Sequence, residues 1–202
     1  MTNHQLGLSG LLLASVALVA CQPAWSMPPA VARLEDLVRI PSGTANIAGV
    51  DAVQERVAND LRKLGFTIQW IANPRGERAS GKLLVATLRG TDARFVTLVT
   101  HADTVFESPG KFEISGDSKV ARGPGVIDAK GGTVVALLGL ERFLAKTKPR
   151  LSIRFVSSPS EETGSAGFLD DFRRFARDSA MVLGFEPALA PHGNGSSVIC
   201  KS

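Results

Sequence analysis

The feature that most constrains the fold is the alternation of strand-like and helix-like segments along the chain. Short apolar runs typical of strands occupy five segments, 66–72, 83–88, 95–100, 151–157 and 180–185. Apolar residues at helical spacing occupy four others, 31–40, 47–64, 130–146 and 166–177. Because parallel strands need a crossover that is usually a helix, this alternation predicts an α/β fold. We expect three layers, with a mostly parallel central sheet between helices.

Two of the connections and two of the strands carry more specific signals. Residues 73–81, NPRGERASG, are predicted to form a loop, and residues 111–122 alternate enough to predict a short hairpin around Gly116 and Asp117. The runs at 151–157 and 180–185 are largely apolar and are therefore predicted to be buried strands. A content of 44% hydrophobic and 21% charged residues supplies enough apolar surface for a core.

The first residues have the character of a secretory signal. The first twenty contain no Asp, Glu, Lys or Arg, and residues 6–20 form an apolar run that is too short to span a bilayer comfortably. We therefore predict a signal peptide at 1–26, a folded domain at 27–202 and a periplasmic or secreted location. A buried core helix is the structural alternative for the same run.

A lipid anchor is the alternative to ordinary signal cleavage. Residues 18–21, LVAC, resemble a lipobox, in which Cys21 would become the lipidated N-terminus, and only then is the membrane an expected partner. Cys200 is the only other cysteine, so no disulfide framework is predicted. The net charge of +4 comes without a block of Lys and Arg interleaved with aromatics, so nucleic acid is not an expected partner.

Histidine and acidic side chains follow three of the predicted strands. His101 and Asp103 come after 95–100, Glu161 and Glu162 after 151–157, and Glu186 after 180–185. Ligands of open α/β sheets collect beyond the carboxyl ends of the strands, so these side chains are expected to converge. One imidazole and several carboxylates are a plausible ligand set for zinc or another divalent metal.

Each of these residues also has an ordinary structural interpretation. Asp128 stands in a glycine-rich loop, GPGVIDAKGG, just ahead of a predicted helix, where an aspartate commonly caps the helix. His101 could be a hydrogen-bonded histidine at a strand end, and Glu161 and Glu162 could be a solvated first turn. The spacing His101-x-Asp103 adds a specific expectation. Residues two apart on a strand point the same way, so Asp103 can reach the ring nitrogen that does not face a metal.

Four motifs in order, VTHADTVF, GPGVIDAKGG, SPSEETGS and LGFEPA, resemble a known family. They are similar to the co-catalytic zinc metallopeptidases that include glutamate carboxypeptidase, acetylornithine deacetylase and succinyl-diaminopimelate desuccinylase, most of all the glutamate carboxypeptidase branch. The resemblance implies a three-layer α/β/α catalytic domain, truncated here before the family's lid and dimerisation domain. The second histidine ligand, a lid histidine and the residues that recognise the substrate carboxylate would then lie beyond Ser202.

The resemblance also implies a ligand set for two zinc ions. His101 and Glu186 would hold one zinc, Glu162 would hold the other, and Asp128 would bridge the two. The second zinc's coordination shell is expected to be incomplete within these 202 residues. His192, in a glycine-rich stretch without a family motif, is a poor substitute for the missing ligand.

The implied catalytic residues are Glu161 and Asp103. Glu161 would be the general base and Asp103 would orient His101, while the peptide bond between Asp128 and Ala129 would be cis. The implied reaction is zinc-dependent hydrolysis of an amide or peptide bond, releasing a C-terminal amino acid from a small peptide or an N-acyl amino acid. A full-length form would be compatible with a homodimer. The competing hypothesis is a truncated, catalytically incomplete exported metal-binding domain.

Overall fold

The computed structural model of the chain describes residues 29–76, 81–115 and 120–187. Its helices are α1 Pro29–Val38, α2 Ile47–Lys63, α3 Gly131–Leu144 and α4 Leu169–Arg177. Its strands are β1 Thr67–Ile71, β2 Leu83–Leu88, β3 Asp92–His101, β4 Glu113–Ile114, β5 Ala121–Arg122, β6 Leu151–Ser158 and β7 Ser179–Gly184. Each predicted helix and strand is present, with ends that differ by a few residues.

Five strands form one mixed sheet in the order β1-β2-β6-β3-β7. β2 is antiparallel to both of its neighbours, whereas β6 with β3 and β3 with β7 are parallel pairs. Four of the five strands therefore run in one direction, and β2 alone runs in the other. The carboxyl ends of β6, β3 and β7 meet at one edge of the sheet, which is where the candidate site lies.

Helices cover both faces of this sheet and confirm the α/β fold. On one face, α1, α2 and α3 bury a large cluster against residues such as Leu84, Leu98 and Phe155. On the other face, Phe168 and Phe175 from the α4 region pack on alternate strand residues that include Val85. Neighbouring residues of a strand point to opposite faces, so a single apolar strand such as β2 contributes side chains to the hydrophobic clusters on both faces of the sheet.

The last strand differs from its prediction. The run at 180–185 was expected to be buried, but β7 lies at the edge of the sheet, with 52% of Met181 and 38% of Val182 exposed. β7 pairs with β3 on one side, and within the part of the chain that the structure describes no strand pairs with its other side. The prediction of burial was wrong because apolar composition does not reveal whether a strand has one neighbour or two.

The helix predicted at 166–177 begins later, at Leu169. Three residues ahead of it have positive φ angles, namely Gly164 at 83°, Ser165 at 51° and Gly167 at 107°. Left-handed backbone breaks a helix, so the chain turns after the two glutamates before α4 can start. The short hairpin is present as β4 paired antiparallel with β5.

Several predictions concern residues outside the described ranges. The signal peptide at 1–26, the lipobox with Cys21, His192, Cys200 and the tip of the hairpin all lie there. Among the helices of residues 29–76, 81–115 and 120–187, none is both long and apolar enough to cross a membrane.

Candidate metal centre

Strand pairing brings the predicted site residues to one edge of the sheet. β3 ends at His101, which is in register with Ser158 at the end of β6. β7 is in register with β3 up to Val99 and Gly184, so Glu186 follows two residues beyond that pair. The backbone N–H of Phe185 donates to the carbonyl of Val99 at 2.9 Å and holds this last segment against β3.

A tight loop carries Asp128 to the same edge. Gly125 has φ 74°, and a Cβ built there would come within 2.8 Å of Thr104 Cγ2, so glycine allows the loop to approach β3 closely. Asp128 has extended angles of φ −128° and ψ 97°, and the Asp128–Ala129 peptide is cis, as the resemblance implied. α3 starts after Lys130 without a side-chain cap, so Asp128 is not the cap of this helix.

Three side chains come together as a potential metal-binding group. His101 Nε2 lies 2.9 Å from Asp128 Oδ1 and 3.4 Å from Glu186 Oε2. One ligand atom from each residue lies within 4.8 Å of the others. The His101 side chain is fully buried, whereas 44% of the Asp128 side chain and 43% of the Glu186 side chain are exposed. The group is thus closed on the strand side and open toward solvent.

Asp103 holds the other ring nitrogen of His101. His101 Nδ1 lies 3.0 Å from the backbone carbonyl of Asp103 and 3.3 Å from its carboxylate oxygen Oδ1, so the carbonyl is the shorter contact. The sequence pattern pointed to the carboxylate alone. Both contacts leave Nε2 facing Asp128 and Glu186, which is the orientation that a metal ligand needs.

The buried carboxylate of Asp103 also anchors the two glutamates. Its Oδ1 accepts a hydrogen bond from the backbone N–H of Glu161 at 2.9 Å, and its Oδ2 accepts one from Glu162 at 3.2 Å. Glu161 and Glu162 open a short helical turn, Glu161–Thr163, and their side chains are exposed and half-buried, respectively. Neither belongs to the group formed by His101, Asp128 and Glu186.

The carboxylates shift each other's titration. The pKa of Glu161 is raised by burial and by the charges of Glu186, Asp103 and Asp128, against an opposing effect of His101. The pKa of Glu162 is raised by burial and by the same kind of repulsion, first from Asp128. Both glutamates therefore hold a proton more readily than an isolated glutamate does.

The carboxylates around His101 change its pKa strongly. Burial alone lowers the pKa of an imidazole, but hydrogen bonds to Asp103 and Glu186, with their charges, outweigh burial and raise the pKa of His101 to about 11. One histidine thus faces a surplus of carboxylates, from Asp103, Asp128, Glu161, Glu162 and Glu186. A surplus of converging negative charge is an arrangement that a divalent cation neutralises.

These residues fit one zinc ion. An imidazole nitrogen and two carboxylate oxygens are ligands that zinc takes, and a catalytic zinc site leaves a further position open. The partly exposed side of His101, Asp128 and Glu186 offers that open position.

Two residues of this region, one half-buried and one buried, were missed by the sequence interpretation. Thr44 Oγ1 donates to Asp103 Oδ2 at 2.7 Å across 59 positions of sequence. Lys130 is buried, its Nζ donates to the carbonyl of Ile40 at 2.9 Å, and burial lowers the pKa of Lys130 to about 8. Neither contact leaves a signal in the local sequence. Each depends on how the segment before α2, which contains Ile40 and Thr44, packs against Asp103 and Lys130.

Sequence comparison finds relatives of this chain. The profile of the peptidase family M20/M25/M40 matches residues 97–197. Carboxypeptidase G2 from Pseudomonas sp. (strain RS-16) is 32% identical over an alignment of 183 positions that covers 85% of this chain and 42% of that protein. The chain therefore spans less than half the length of this curated relative.

Structure comparison finds the same fold in several peptidases. Human carnosine dipeptidase 1 matches with a TM-score of 0.63 and 17% identity over 77% of this chain and 37% of that chain. An M20 family metallo-carboxypeptidase from Sulfolobus solfataricus matches with a TM-score of 0.61 and 18% identity, over 79% of this chain and 37% of that chain. A tripeptidase from Staphylococcus aureus matches with a TM-score of 0.61 and 20% identity, over 79% of this chain and 43% of that chain. With the matched profile covering half of the sequence, the chain belongs to the peptidase family M20/M25/M40.

Proposed function

We propose that this chain carries the metal centre of a zinc-dependent hydrolase of amide or peptide bonds. The observation that supports the proposal best is the convergence of His101, Asp128 and Glu186, with Asp103 behind the histidine. Membership of a peptidase family and the similarity to carboxypeptidase G2 favour release of a C-terminal amino acid. The substrate class would be small peptides or N-acyl amino acids.

Two zinc ions are proposed for the whole protein. His101 and Glu186 would hold the first, Glu162 would contribute to the second, and Asp128 would bridge both. When bound, zinc supplies Lewis acidity that polarises the scissile carbonyl and lowers the pKa of a water. Asp103 serves this centre by holding His101 Nδ1, which fixes the tautomer and leaves Nε2 free to act as a ligand.

Glu161 is the proposed general base. Its carboxylate would accept a proton from the attacking water and later donate that proton to the leaving nitrogen. A raised pKa suits this double role, because a carboxylate that binds protons more tightly is a stronger base. The hydrogen bond from its backbone N–H to Asp103 holds the start of this turn in place.

Zinc binding and hydrolysis test the proposal in sequence. The 202-residue chain is titrated with zinc by calorimetry, and the whole gene product is then assayed on dipeptides and N-acyl glutamates with and without a chelator. We expect binding by the chain and hydrolysis that zinc restores after chelation. Absence of zinc binding would contradict the proposed centre. Binding by the whole product without hydrolysis would favour the alternative, a catalytically incomplete exported metal-binding domain.

Substitution of the proposed base tests its role. Glu161→Gln should lower kcat by about 10²–10⁴-fold, the usual contribution of acid–base catalysis, while zinc affinity stays within a few fold. Glu55→Gln is a matched control, since Glu55 is a half-exposed glutamate of α2 paired with Arg62. Normal turnover in Glu161→Gln would assign the base elsewhere.

We also propose export of the protein, on the basis of the apolar run at 6–20. Residues 1–26 fused to a phosphatase that is active only outside the cytoplasm should give activity. Replacement of Cys21 by alanine distinguishes the two routes, because it abolishes lipid labelling of a lipoprotein and leaves ordinary cleavage unaffected. A homodimer is proposed for the whole protein and is tested by its mass in solution.

A further inference from the structure

A short segment ahead of α2 crosses the metal centre on its buried side. The segment comprises residues 40–44, and its backbone pairs with the residue that follows Asp103. Thr104 N–H donates to the carbonyl of Ser42 at 2.8 Å, and Thr44 N–H donates to the carbonyl of Thr104 at 3.2 Å. These two hydrogen bonds fix Thr44 beside Asp103 although the two residues are far apart in sequence.

The hydroxyl of Thr44 completes the surroundings of a buried carboxylate. Thr44 Oγ1 donates to Asp103 Oδ2 at 2.7 Å, and the same carboxylate accepts from the N–H groups of Glu161 and Glu162. The Asp103 side chain has no exposed surface. An ionised carboxylate is an acceptor only, and in a dry environment each unfilled lone pair costs free energy. The hydroxyl donor therefore stabilises one rotamer of Asp103.

That rotamer serves two parts of the centre at once. Oδ1 faces His101 Nδ1 and the N–H of Glu161, while Oδ2 receives Thr44 and the N–H of Glu162. Rotation of the carboxylate would break the alignment of the histidine and release the turn that bears both glutamates. Within the described ranges, the hydrogen bonds of Thr44 go to Asp103 and Thr104 and not to His101 or Glu161, so Thr44 acts through Asp103.

We propose that Thr44 is a positioning residue of the metal centre, whose hydroxyl locks Asp103 and thereby aligns His101 with the Glu161–Glu162 turn. The inference rests on the proposed function, because alignment of His101 is useful only if the imidazole binds a metal. It assigns a role in the centre to the segment before α2, which carries none of the four motifs.

Three variants of the 202-residue chain separate the hydroxyl from the shape of the side chain. Thr44→Val keeps the branched shape and removes the hydroxyl, whereas Thr44→Ser keeps the hydroxyl. Thr97→Val is the matched control, because the hydroxyl of Thr97, a buried residue of β3, likewise makes a 2.7 Å side-chain hydrogen bond, in this case with Ser179. We expect about a 10-fold loss of zinc affinity in Thr44→Val, as for other partners of metal-binding histidines, and less than about 3-fold in the other two.

A second measurement needs no metal and begins with the wild-type chain. The amide hydrogens of Glu161 and Glu162 should exchange slowly with solvent, because Asp103 accepts both, although Glu161 itself is exposed. In Thr44→Val their exchange should accelerate by about 10-fold, while the exchange of β6 amides stays unchanged. A merely structural contribution of Thr44 would accelerate exchange throughout the sheet instead.

The outcomes decide between the two proposals. Wild-type zinc affinity in a folded Thr44→Val, or failure of Thr44→Ser to restore affinity, would overturn the role of the hydroxyl. Unprotected Glu161 and Glu162 amides in the wild-type chain would overturn it even if Thr44→Val does not fold. Absence of zinc binding in the wild type together with protected amides would overturn the proposed function and leave the link from Thr44 to Asp103 intact.

Discussion

Two clusters of charged side chains lie on the same face of the sheet and differ in charge balance. The first, the Arg154 cluster, consists of Arg154, Asp178, Phe95 and Phe175 at the middle of the sheet. The second is the metal centre at its carboxyl edge. Arg154 and Ser158, which is in register with His101, are separated by an even number of positions along β6, so both clusters are on one side.

The Arg154 cluster is complete in itself. The guanidinium makes two parallel hydrogen bonds to Asp178, at 2.7 and 2.8 Å, and lies 3.8 Å from the ring centre of Phe95 and 4.5 Å from that of Phe175. One cation and one carboxylate balance, and two aromatic rings cover the guanidinium of Arg154, whose side chain is only 7% exposed. The metal centre has one imidazole among several carboxylates and is open to solvent. The first arrangement stabilises a fold, whereas the second has negative charge left over for a ligand.

Removal of the imidazole should have the largest effect on the metal centre. We expect His101→Ala to lower zinc affinity by more than about 100-fold, because loss of a direct ligand should exceed the 10–100-fold effect of losing a ligand's partner. Calorimetric titration measures the affinity, and circular dichroism checks the fold. Arg154→Met in the same assay should retain wild-type affinity. Equal losses in both variants would show that the clusters are not independent.

Removal of the guanidinium should have the opposite effect, a loss of stability without a loss of zinc affinity. Arg154→Met should lower the free energy of unfolding by about 2 kcal/mol, less than the roughly 3–5 kcal/mol of a fully buried pair. The loss is smaller because 47% of the Asp178 side chain is exposed and water can solvate the carboxylate that remains. Urea denaturation at pH 7 provides the measurement. A change below about 0.5 kcal/mol would place this pair with ordinary surface salt bridges.

The pH dependence of zinc binding sharpens the contrast further. His101 is protonated in the metal-free chain up to a pKa of about 11, so zinc must displace a proton. Affinity should rise with pH, by up to about 10-fold per unit between pH 6 and 9. Titration in buffers of different ionisation enthalpy should show about one proton released. A pH-independent affinity would mean that His101 is not the titrating ligand.

The raised pKa of His101 also makes the stability of the metal-free fold depend on pH. This stability should fall as pH rises, whereas zinc affinity should increase. A group whose pKa is higher in the folded state stabilises that state below its unfolded value of about 6.5, and this contribution disappears as pH rises toward 11. Zinc should therefore increase the melting temperature more at pH 8.5 than at pH 6.

The smallest effect is expected for the carboxylate of the Arg154 cluster. The hydrogen bond from Arg154 holds the pKa of Asp178 below its usual value. Its stabilisation is present above about pH 4, the unfolded value, and is lost as pH falls through the lower folded value. Asp178→Asn leaves an amide oxygen that can still accept from Arg154 and keeps both rings on the guanidinium, so it should cost less than about 1 kcal/mol at pH 7 and less still at pH 3. Asp170→Asn, at an almost fully exposed side chain, is the control and should cost nothing measurable.

The sequence predicted the convergence of the site residues better than the details of their contacts. His101, Glu161 and Glu186 follow strands that run in one direction, and parallel strands deliver their carboxyl ends to one edge whatever their order in the sheet. The convergence of His101, Asp128 and Glu186 could thus be anticipated, whereas metal binding by these residues stays a prediction. The assigned roles, including the second zinc and the base, stay predictions.

Contacts between distant segments could not be predicted. Thr44 reaches Asp103 because the chain before α2 returns to β3, and local sequence does not encode such a return. The ion pair of Arg154 could not be predicted either, because Arg154 lies in a largely apolar strand and its partner Asp178 is 24 positions away. The exposed edge at β7 was missed for the same reason, because burial of a strand depends on which elements pack beside it.

The position of Glu186 gives the metal centre a mechanical consequence. The residue follows β7, which is held to the sheet along one side within the described ranges, whereas His101 ends a strand that has neighbours on both sides. An ion bound by these two residues and Asp128 would act as a cross-link between the edge and the interior of the sheet. It would close a long loop of chain and restrain an edge strand of the sheet, so metal loading would be part of how this domain resists local unfolding.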